Sequence, residues 1–231
     1  MGKWPWLLSL ILLQPSAVWA LPSPAEVQAF YPSSEGRLLD REGRLLQELR
    51  LSKESRALDW VPLQKVSPAL KEAVLFVEDR RFYSHGGVDF QAVAGALWGN
   101  FWGGRRGAST ITMQLVNFLE PGLAGRKNFW GKLRQGNVAS ELEKAWTKDE
   151  IFEAYLNLVT FRGEHRGVAA GARALFGKDP HALGLKESFL LASLLKAPGI
   201  SAEKAGQRLC LFASSTPELG SGEELRHFAG A

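Results

Sequence analysis

Residues 67–89 read SPALKEAVLFVEDRRFYSHGGVD, and this stretch decides the fold. Ser67 is a residue type that caps helices, and Pro68 suits the first helical turn. Apolar residues follow at helical spacing, and a Gly-Gly pair at 86–87 is a stop signal. The stretch therefore predicts an amphipathic helix that begins at residue 68 and continues towards the glycines.

Glu78 stands in an apolar sector of this predicted helix. Val74 lies one turn before it and Phe82 one turn after it, so both are expected to share its face. A carboxylate among apolar groups has a raised pKa, which suits a general base or a general acid. The alternative is an exposed or salt-bridged glutamate, for which Lys71 and Arg81 are available partners. The helix alone leaves both interpretations open.

Outside this stretch the mature chain is also mainly helical in pattern. Capping residues such as Ser109, the capping box of Thr147 with Glu150, and Gly or Pro stops predict seven further helices. They span residues 90–98, 110–119, 132–146, 148–158, 166–176, 186–196 and 201–212. The sequence thus predicts one mainly α domain over residues 67–212.

Three segments flank the predicted domain. Residues 1–20 contain Lys3, an apolar run and a small-residue end, which is typical of a signal peptide; a signal anchor is the alternative, because the run just reaches the length of a span. Residues 21–66 are rich in turn formers and predict an arm with a small hairpin or extended segment. Residues 213–231 predict a loose tail. An exported chain is expected in the cell envelope.

Composition narrows the class of protein further. The chain has 231 residues, of which 45% are hydrophobic and 23% charged, and this is a globular profile. Cys210 is the single cysteine, so no internal disulfide can form, and the sequence has no Cys–His cluster of the kind that holds structural zinc.

Positive charge is concentrated around one predicted helix start. Between residues 98 and 135 there are six cations and one anion, whereas the whole chain has a net charge of +4. The cations are Arg105, Arg106, Arg126, Lys127, Lys132 and Arg134. Because a helix N-terminus attracts anions, this pattern favours a di-anionic phosphate ligand. A solvated basic face or attraction to anionic lipid is the alternative, and export makes nucleic acid a poor fit.

Four motifs in this chain together resemble family 51 glycosyltransferases, the peptidoglycan transglycosylases. Residues 78–89 resemble the EDxxFxxHxGxD motif, and residues 107–115 (GASTITMQL) resemble G(G/A)STITxQL. Residues 148–157 (KDEIFEAYLN) are similar to KxxILExYLN, and residues 187–198 match the apolar final motif that closes on Ala-Pro. The motifs occur in family order and spacing, and the penicillin-binding protein 1C type is the most similar branch.

This resemblance implies a lysozyme-like α-helical transglycosylase domain with a short N-terminal extended or β arm, and it implies a reaction. The 4-hydroxyl of an acceptor lipid II attacks C1 of the donor sugar with inversion, and undecaprenyl diphosphate leaves. Glu78 is the expected general base. The residues expected to bind substrate or to shape its site are Asp79, Phe82, His85, Arg105, Arg106, Ser109, Thr110, Gln114, Arg126, Lys132 and Gln135.

The same resemblance suggests the surroundings of the reaction. Lipid II, the growing glycan strand and the membrane surface are the expected partners, on the periplasmic face of the cytoplasmic membrane, together with a separate transpeptidase. No nucleic acid is expected, and whether a divalent cation assists the leaving diphosphate stays open. Trp98, Phe101 and Trp102 are candidates for lipid contact, with core packing as the alternative.

Two departures from the family pattern keep other functions in view. Gln135 replaces the second acid of the RKxxE motif, and Asn117 replaces a lysine after the second motif. A non-catalytic envelope protein that binds lipid II or a synthase is therefore one alternative. A lysozyme-like glycan hydrolase is another alternative. Hydrolysis needs no diphosphate site, so the basic cluster argues against it.

Overall fold

The structure is a computed structural model that describes residues 21–31, 33–101, 109–124, 129–195, 199–214 and 216–230. Within these ranges it is mainly α, as the sequence predicts. The helices are α1 (Pro24–Ala29), α2 (Pro68–Glu78), α3 (Phe90–Phe101), α4 (Ile111–Leu119), α5 (Pro121–Ala124), α6 (Phe129–Ala145), α7 (Lys148–Leu158), α8 (Gly167–Phe176), α9 (Leu185–Leu195), α10 (Ala202–Ala213) and α11 (Gly222–Gly230). The strands are β1 (Glu35–Leu39), β2 (Leu45–Arg50), β3 (Arg56–Ala57) and β4 (His165–Arg166).

Helix α2 begins as its sequence predicts. The Ser67 side chain accepts a hydrogen bond from the N–H of Leu70 at 3.0 Å, and Pro68 occupies the first turn. The apolar side of the helix is fully buried and packs against α9. Burial of this face, at about 25 cal/mol per Å² of apolar surface, is what fixes α2 in place. The position of its last residue, Glu78, follows from that packing.

Helix α7 lies at the centre of the domain. Thr147 and Glu150 form the predicted capping box, and α4, α8 and α1 all contact the helix. Its buried residues are Ile151, Phe152, Ala154, Tyr155, Leu156, Asn157 and Leu158. Two of these, Tyr155 and Asn157, are polar, so their hydrogen bonds must be satisfied inside the protein.

The N-terminal arm contains the predicted hairpin. β1 and β2 pair in antiparallel register with Arg37 opposite Glu48, and β3 pairs in parallel with β4. The hairpin exposes a row of leucines, which are Leu38, Leu39, Leu45, Leu46, Leu49 and Leu51. The short extended or β arm expected from the sequence is therefore present beside the helical domain.

The C-terminal region differs from the predicted loose tail. After α10 a 3-10 turn, Pro217–Leu219, leads into α11, which packs against α10. Leu219 and Leu225 are fully buried in the main core. Within α11 the apolar residues Leu225, Phe228 and Ala229 stand at helical spacing, but the helix is only nine residues long, and tertiary burial stabilises it.

None of the helices in the described part of the chain combines the length and the apolar character that a membrane crossing requires. The predicted signal or anchor segment, residues 1–20, lies outside the described residues.

Candidate active site

Glu78 is half-buried at the last position of α2. Asp79 leaves the helix with φ −158° and ψ 81°, so the chain turns away directly after Glu78. The expectation that Phe82 shares the helix face of Glu78 is therefore wrong, because Phe82 lies in the 3-10 turn Phe82–Ser84. The helix therefore ends at Glu78, earlier than the sequence pattern predicts.

A cleft of about 460 Å³ opens beside Glu78. It lies between the segment after α2, the first turns of α3 and the residues that lead into α4. Its lining residues are Glu78, Asp79, Arg80, Arg81, Asp89, Gln91, Ala92, Gly95, Ala96, Ser109 and Thr110. Gln114 of α4 donates from Nε2 to Glu78 Oε2 at 2.8 Å, which fixes the carboxylate on the wall of the cleft.

The buried carboxylate of Asp79 connects the end of α2 with the start of α4 and with His85. Its Oδ2 accepts from the N–H of Ile111 at 3.1 Å and contacts Nε2 of His85 at 3.0 Å. Because Ile111 opens α4, Asp79 places a negative charge at the positive end of that helix. The sequence predicts a ligand anion at this helix start, but the protein's own carboxylate lies there.

Thr110 is the N-cap of α4, whereas the sequence predicts Ser109. The Thr110 hydroxyl accepts from the N–H of Met113 at 3.1 Å and donates to the carbonyl of Gly87 at 2.6 Å. Ser is if anything the better capping residue, so the contact with Gly87 favours Thr110 in the folded chain. Ser109 is left half-buried in the cleft lining.

An ion pair closes the far side of the cleft. Arg81 pairs with Asp89, with Nε donating to Oδ2 at 3.0 Å, and the N–H of Ala92 donates to Asp89 Oδ1 at 2.8 Å. Burial alone would raise the pKa of Asp89, but these two donors hold it below its ordinary value. Asp89 is therefore an ionised cap for α3.

One group of side chains in the described residues brings metal-ligand atoms together: Asp79, His85 and Asp89. Each carboxylate already has donors, because Asp79 accepts from Ile111 and Asp89 from Arg81. A cation would have to displace the Arg81 guanidinium, and we assign no metal to this cluster.

The fold and the geometry of this cleft can now be compared with known proteins. A family model described as Transglycosylase matches residues 42–215. The chain belongs to the transglycosylase family. A biosynthetic peptidoglycan transglycosylase of Nitrosospira multiformis is 32% identical over 203 residues, which cover 85% of this chain and 86% of that protein.

Longer relatives match only through this domain. Penicillin-binding protein 1A of Rickettsia bellii is 35% identical over 184 residues, covering 77% of this chain and 22% of that protein. Penicillin-binding protein 1C of Escherichia coli is 41% identical over 140 residues, covering 60% of this chain and 18% of that protein. The transglycosylase chain thus spans about a fifth of the length of the penicillin-binding proteins that it matches.

The transglycosylase site brings together only part of the predicted set. Glu78, Asp79, Ser109 and Thr110 line the cleft, while His85 and Gln114 hold two of its carboxylates. Lys132 is exposed on α6 and is not among the described residues that line the cleft. Three predicted residues, Arg105, Arg106 and Arg126, lie outside the described residues, as do the side chains of Trp98, Phe101 and Trp102.

Phe82 and Gln135, two residues of the predicted set, make packing contacts inside the protein. Phe82 is 1% exposed, and its ring packs against that of Phe152 at a centroid distance of 5.8 Å. Gln135 is buried on α6 and donates from Nε2 to the carbonyl of Met113 at 2.7 Å. The Gln135 amide therefore joins α6 to α4.

Sequence reasoning missed the internal contacts of the motif on α7. Glu153 accepts from Trp60 Nε1 at 2.8 Å and from the N–H of Leu63 at 2.7 Å, and Asn157 bonds both backbone groups of Val61. Glu153 and Asn157 thus hydrogen-bond the segment that precedes α2 to α7. The available signal was the position of Glu153 and Asn157, four residues apart on one face of the predicted helix, because polar groups that become buried there require partners.

A half-buried charged pair also links the helices beside the cleft. Lys148 Nζ lies 2.8 Å from Glu143, whose side chain is 8% exposed, and the Thr112 hydroxyl donates to the same carboxylate at 2.5 Å. The Lys148 ammonium also lies 4.4 Å from the centroid of the Phe82 ring. The cluster ties α4, α6 and α7 together under the turn that follows Glu78.

Proposed function

We propose that this chain is a peptidoglycan glycosyltransferase that polymerises lipid II into glycan strands. One observation carries the proposal: Glu78 is half-buried on the wall of a cleft, and a hydrogen bond from Gln114 fixes its carboxylate there. In the proposed reaction Glu78 takes the proton of the acceptor 4-hydroxyl. The hydroxyl oxygen then bonds to C1 of the donor, and undecaprenyl diphosphate leaves with the bonding pair, which inverts the anomeric centre.

Orientation and charge supply the catalysis in this scheme. The cleft holds the two sugars together, and proton removal by Glu78 activates the nucleophile. Negative charge grows on the departing diphosphate, so fixed positive charge on that side lowers the barrier. Arg105, Arg106, Arg126 and Lys132 are the proposed cations, with Ser109 as a neutral donor, because Asp79 already occupies the start of α4.

The proposed setting is the cell envelope, at the periplasmic face of the cytoplasmic membrane. Lipid II and the growing strand are the proposed partners, with the membrane surface as their support and a separate transpeptidase to cross-link the product. The proposal needs no resident cofactor. A divalent cation that accompanies the diphosphate is compatible with it.

The test is polymerisation of purified lipid II by the full chain, with product length read on a gel. Glycan strands of increasing length are expected. Two other outcomes would favour different functions: release of muropeptides from purified sacculi would indicate a hydrolase, and binding of lipid II without turnover would indicate a non-catalytic protein. Gln135 by itself does not favour the latter, because its amide is used in packing α6 against α4.

A further inference from the structure

Tyr155 is a fully buried polar residue directly behind the cleft wall. It lies on α7, and its hydroxyl donates to Gln114 Oε1 at 3.4 Å. Gln114 in turn donates from Nε2 to Glu78 Oε2 at 2.8 Å. The three side chains therefore form a line of hydrogen bonds from the core to the carboxylate, and α7, α4 and α2 each contribute one member.

The direction of these bonds follows from the chemistry of the two ends. Burial, with the nearby Glu78 charge as a smaller cause, raises the pKa of Tyr155 well above its usual value, so the phenol keeps its proton and is a donor. An ionised Glu78 can only accept. The amide between them must then turn its oxygen to Tyr155 and its nitrogen to Glu78.

We propose that Tyr155 is a positioning residue for Glu78, acting through the amide of Gln114. The inference rests on the proposed role of Glu78 as general base. At 3.4 Å the Tyr155 bond is long, so its contribution is orientation more than binding energy. It holds the Gln114 amide in the one orientation that stabilises the ionised carboxylate and keeps it aimed at the cleft.

Removal of the Tyr155 hydroxyl should change the pH at which Glu78 stops acting as a base, and the direction of that change can be predicted. In Tyr155→Phe the amide can turn its oxygen to Glu78, and this orientation suits the protonated acid. The working base is then lost at a higher pH than in the wild type. Among the described residues, the other titratable or charged groups facing Glu78 across the cleft are Asp79, Arg80, Arg81 and Asp89, and none of them changes in the variant.

The test compares pH profiles of kcat/KM for lipid II in the wild type, Tyr155→Phe and Tyr83→Phe. Tyr83 is the matched control, since it loses the same atom but its hydroxyl bonds Asp149. For Tyr155→Phe we expect kcat to fall by about tenfold with KM nearly unchanged, and the acid limb to move to higher pH by about half a pH unit. Tyr83→Phe should keep the wild-type profile.

A second variant covers the case in which Tyr155→Phe does not fold. Gln114→Leu removes the donor itself, so its acid limb should move in the same direction and further. Adding Tyr155→Phe to Gln114→Leu should cause no additional movement, because the tyrosine acts through the amide. An acid limb unchanged in either single variant, or a double variant that moves further than Gln114→Leu, would overturn the proposal.

The outcomes separate this inference from the proposed function. An active wild type with unmoved variants overturns only the role of Tyr155. A wild type that does not polymerise lipid II overturns both, since no base would then need positioning.

Discussion

A substitution at Gly87 tests how closely the turn after α2 packs against the backbone of α6. Its φ is +83°, and a Cβ added there would lie 2.6 Å from the N of Ser140 and 2.7–2.8 Å from the C and O of Ala139, all backbone atoms of α6. Its carbonyl also accepts the hydroxyl of Thr110, which caps α4. Gly87→Ala therefore strains the turn and pushes α6 away from the motif that carries Glu78.

The magnitude follows from these two effects. An L residue in the left-handed region costs about 1–2 kcal/mol, and displacing packed backbone adds about 1–3 kcal/mol. We expect Gly87→Ala to lose about 2–5 kcal/mol of unfolding free energy, which lowers Tm by about 5–15 °C in a chain of this size. Calorimetry and urea unfolding measure the loss, and the rate of lipid II polymerisation should fall with it.

Gly86→Ala is the control for this prediction. No atom lies within 4 Å of the Cβ position at Gly86, and its φ is not positive. The change there should stay within about 0.5 kcal/mol of the wild type. If Gly87→Ala proved as stable as Gly86→Ala, the close approach of the turn to α6 would be refuted.

Three further expectations follow from the site and the sequence. Lys148→Met removes the cation that pairs with Glu143. Because the Lys148 side chain is 22% exposed and the Glu143 side chain 8% exposed, we expect a loss between the surface and buried limits, about 1–2 kcal/mol in urea unfolding; no measurable loss would mean that the pair behaves like a surface ion pair. The pKa of Asp89 is lower in the folded protein than in the unfolded chain. The stability that Asp89 contributes is therefore complete at pH values above its unfolded pKa and is lost as the pH falls through its folded pKa. Asp89→Asn should make the loss of unfolding free energy at acid pH less steep, and a loss as steep as that of the wild type would contradict the lowered pKa. Reversing Arg105 and Arg106 to Glu should raise KM for lipid II by about tenfold or more, and an unchanged KM would count against a basic diphosphate site.

Most of the helices could be predicted from the sequence, because capping residues and apolar spacing indicate the same helices that tertiary packing stabilises. The capping box at Thr147 and the cap at Ser67 are satisfied by residues only three positions away, so the sequence contains all the information. The end of α2 could not be predicted in the same way. Asp79 accepts a hydrogen bond from Ile111, 32 positions away, and local spacing does not indicate a contact at that range.

In the candidate site, too, local motifs could be read from the sequence but contacts between distant residues could not. Glu78 was singled out as a candidate by the motif that residues 78–89 resemble, because the helix alone left an exposed or salt-bridged glutamate as an alternative. The contacts that support it were not, because periodicity marks Tyr155 and Phe82 simply as buried and does not say which of them has a polar role. The choice of Thr110 over Ser109 as the cap also depends on a contact with Gly87 that only the folded chain provides. Each of these distinctions requires knowledge of which elements are neighbours.

The most direct test of the central claim is the initial rate of lipid II polymerisation by Glu78→Gln. Glu72→Gln serves as the control, because Glu72 is an exposed residue on the same helix, α2. Glu78→Gln keeps the shape of the side chain but removes the proton acceptor, and we expect the rate to fall by about 10²–10⁴-fold while the folded structure and Tm stay close to those of the wild type. Glu72→Gln should retain the wild-type rate. Wild-type strand formation by Glu78→Gln would contradict the assignment of Glu78 as the general base.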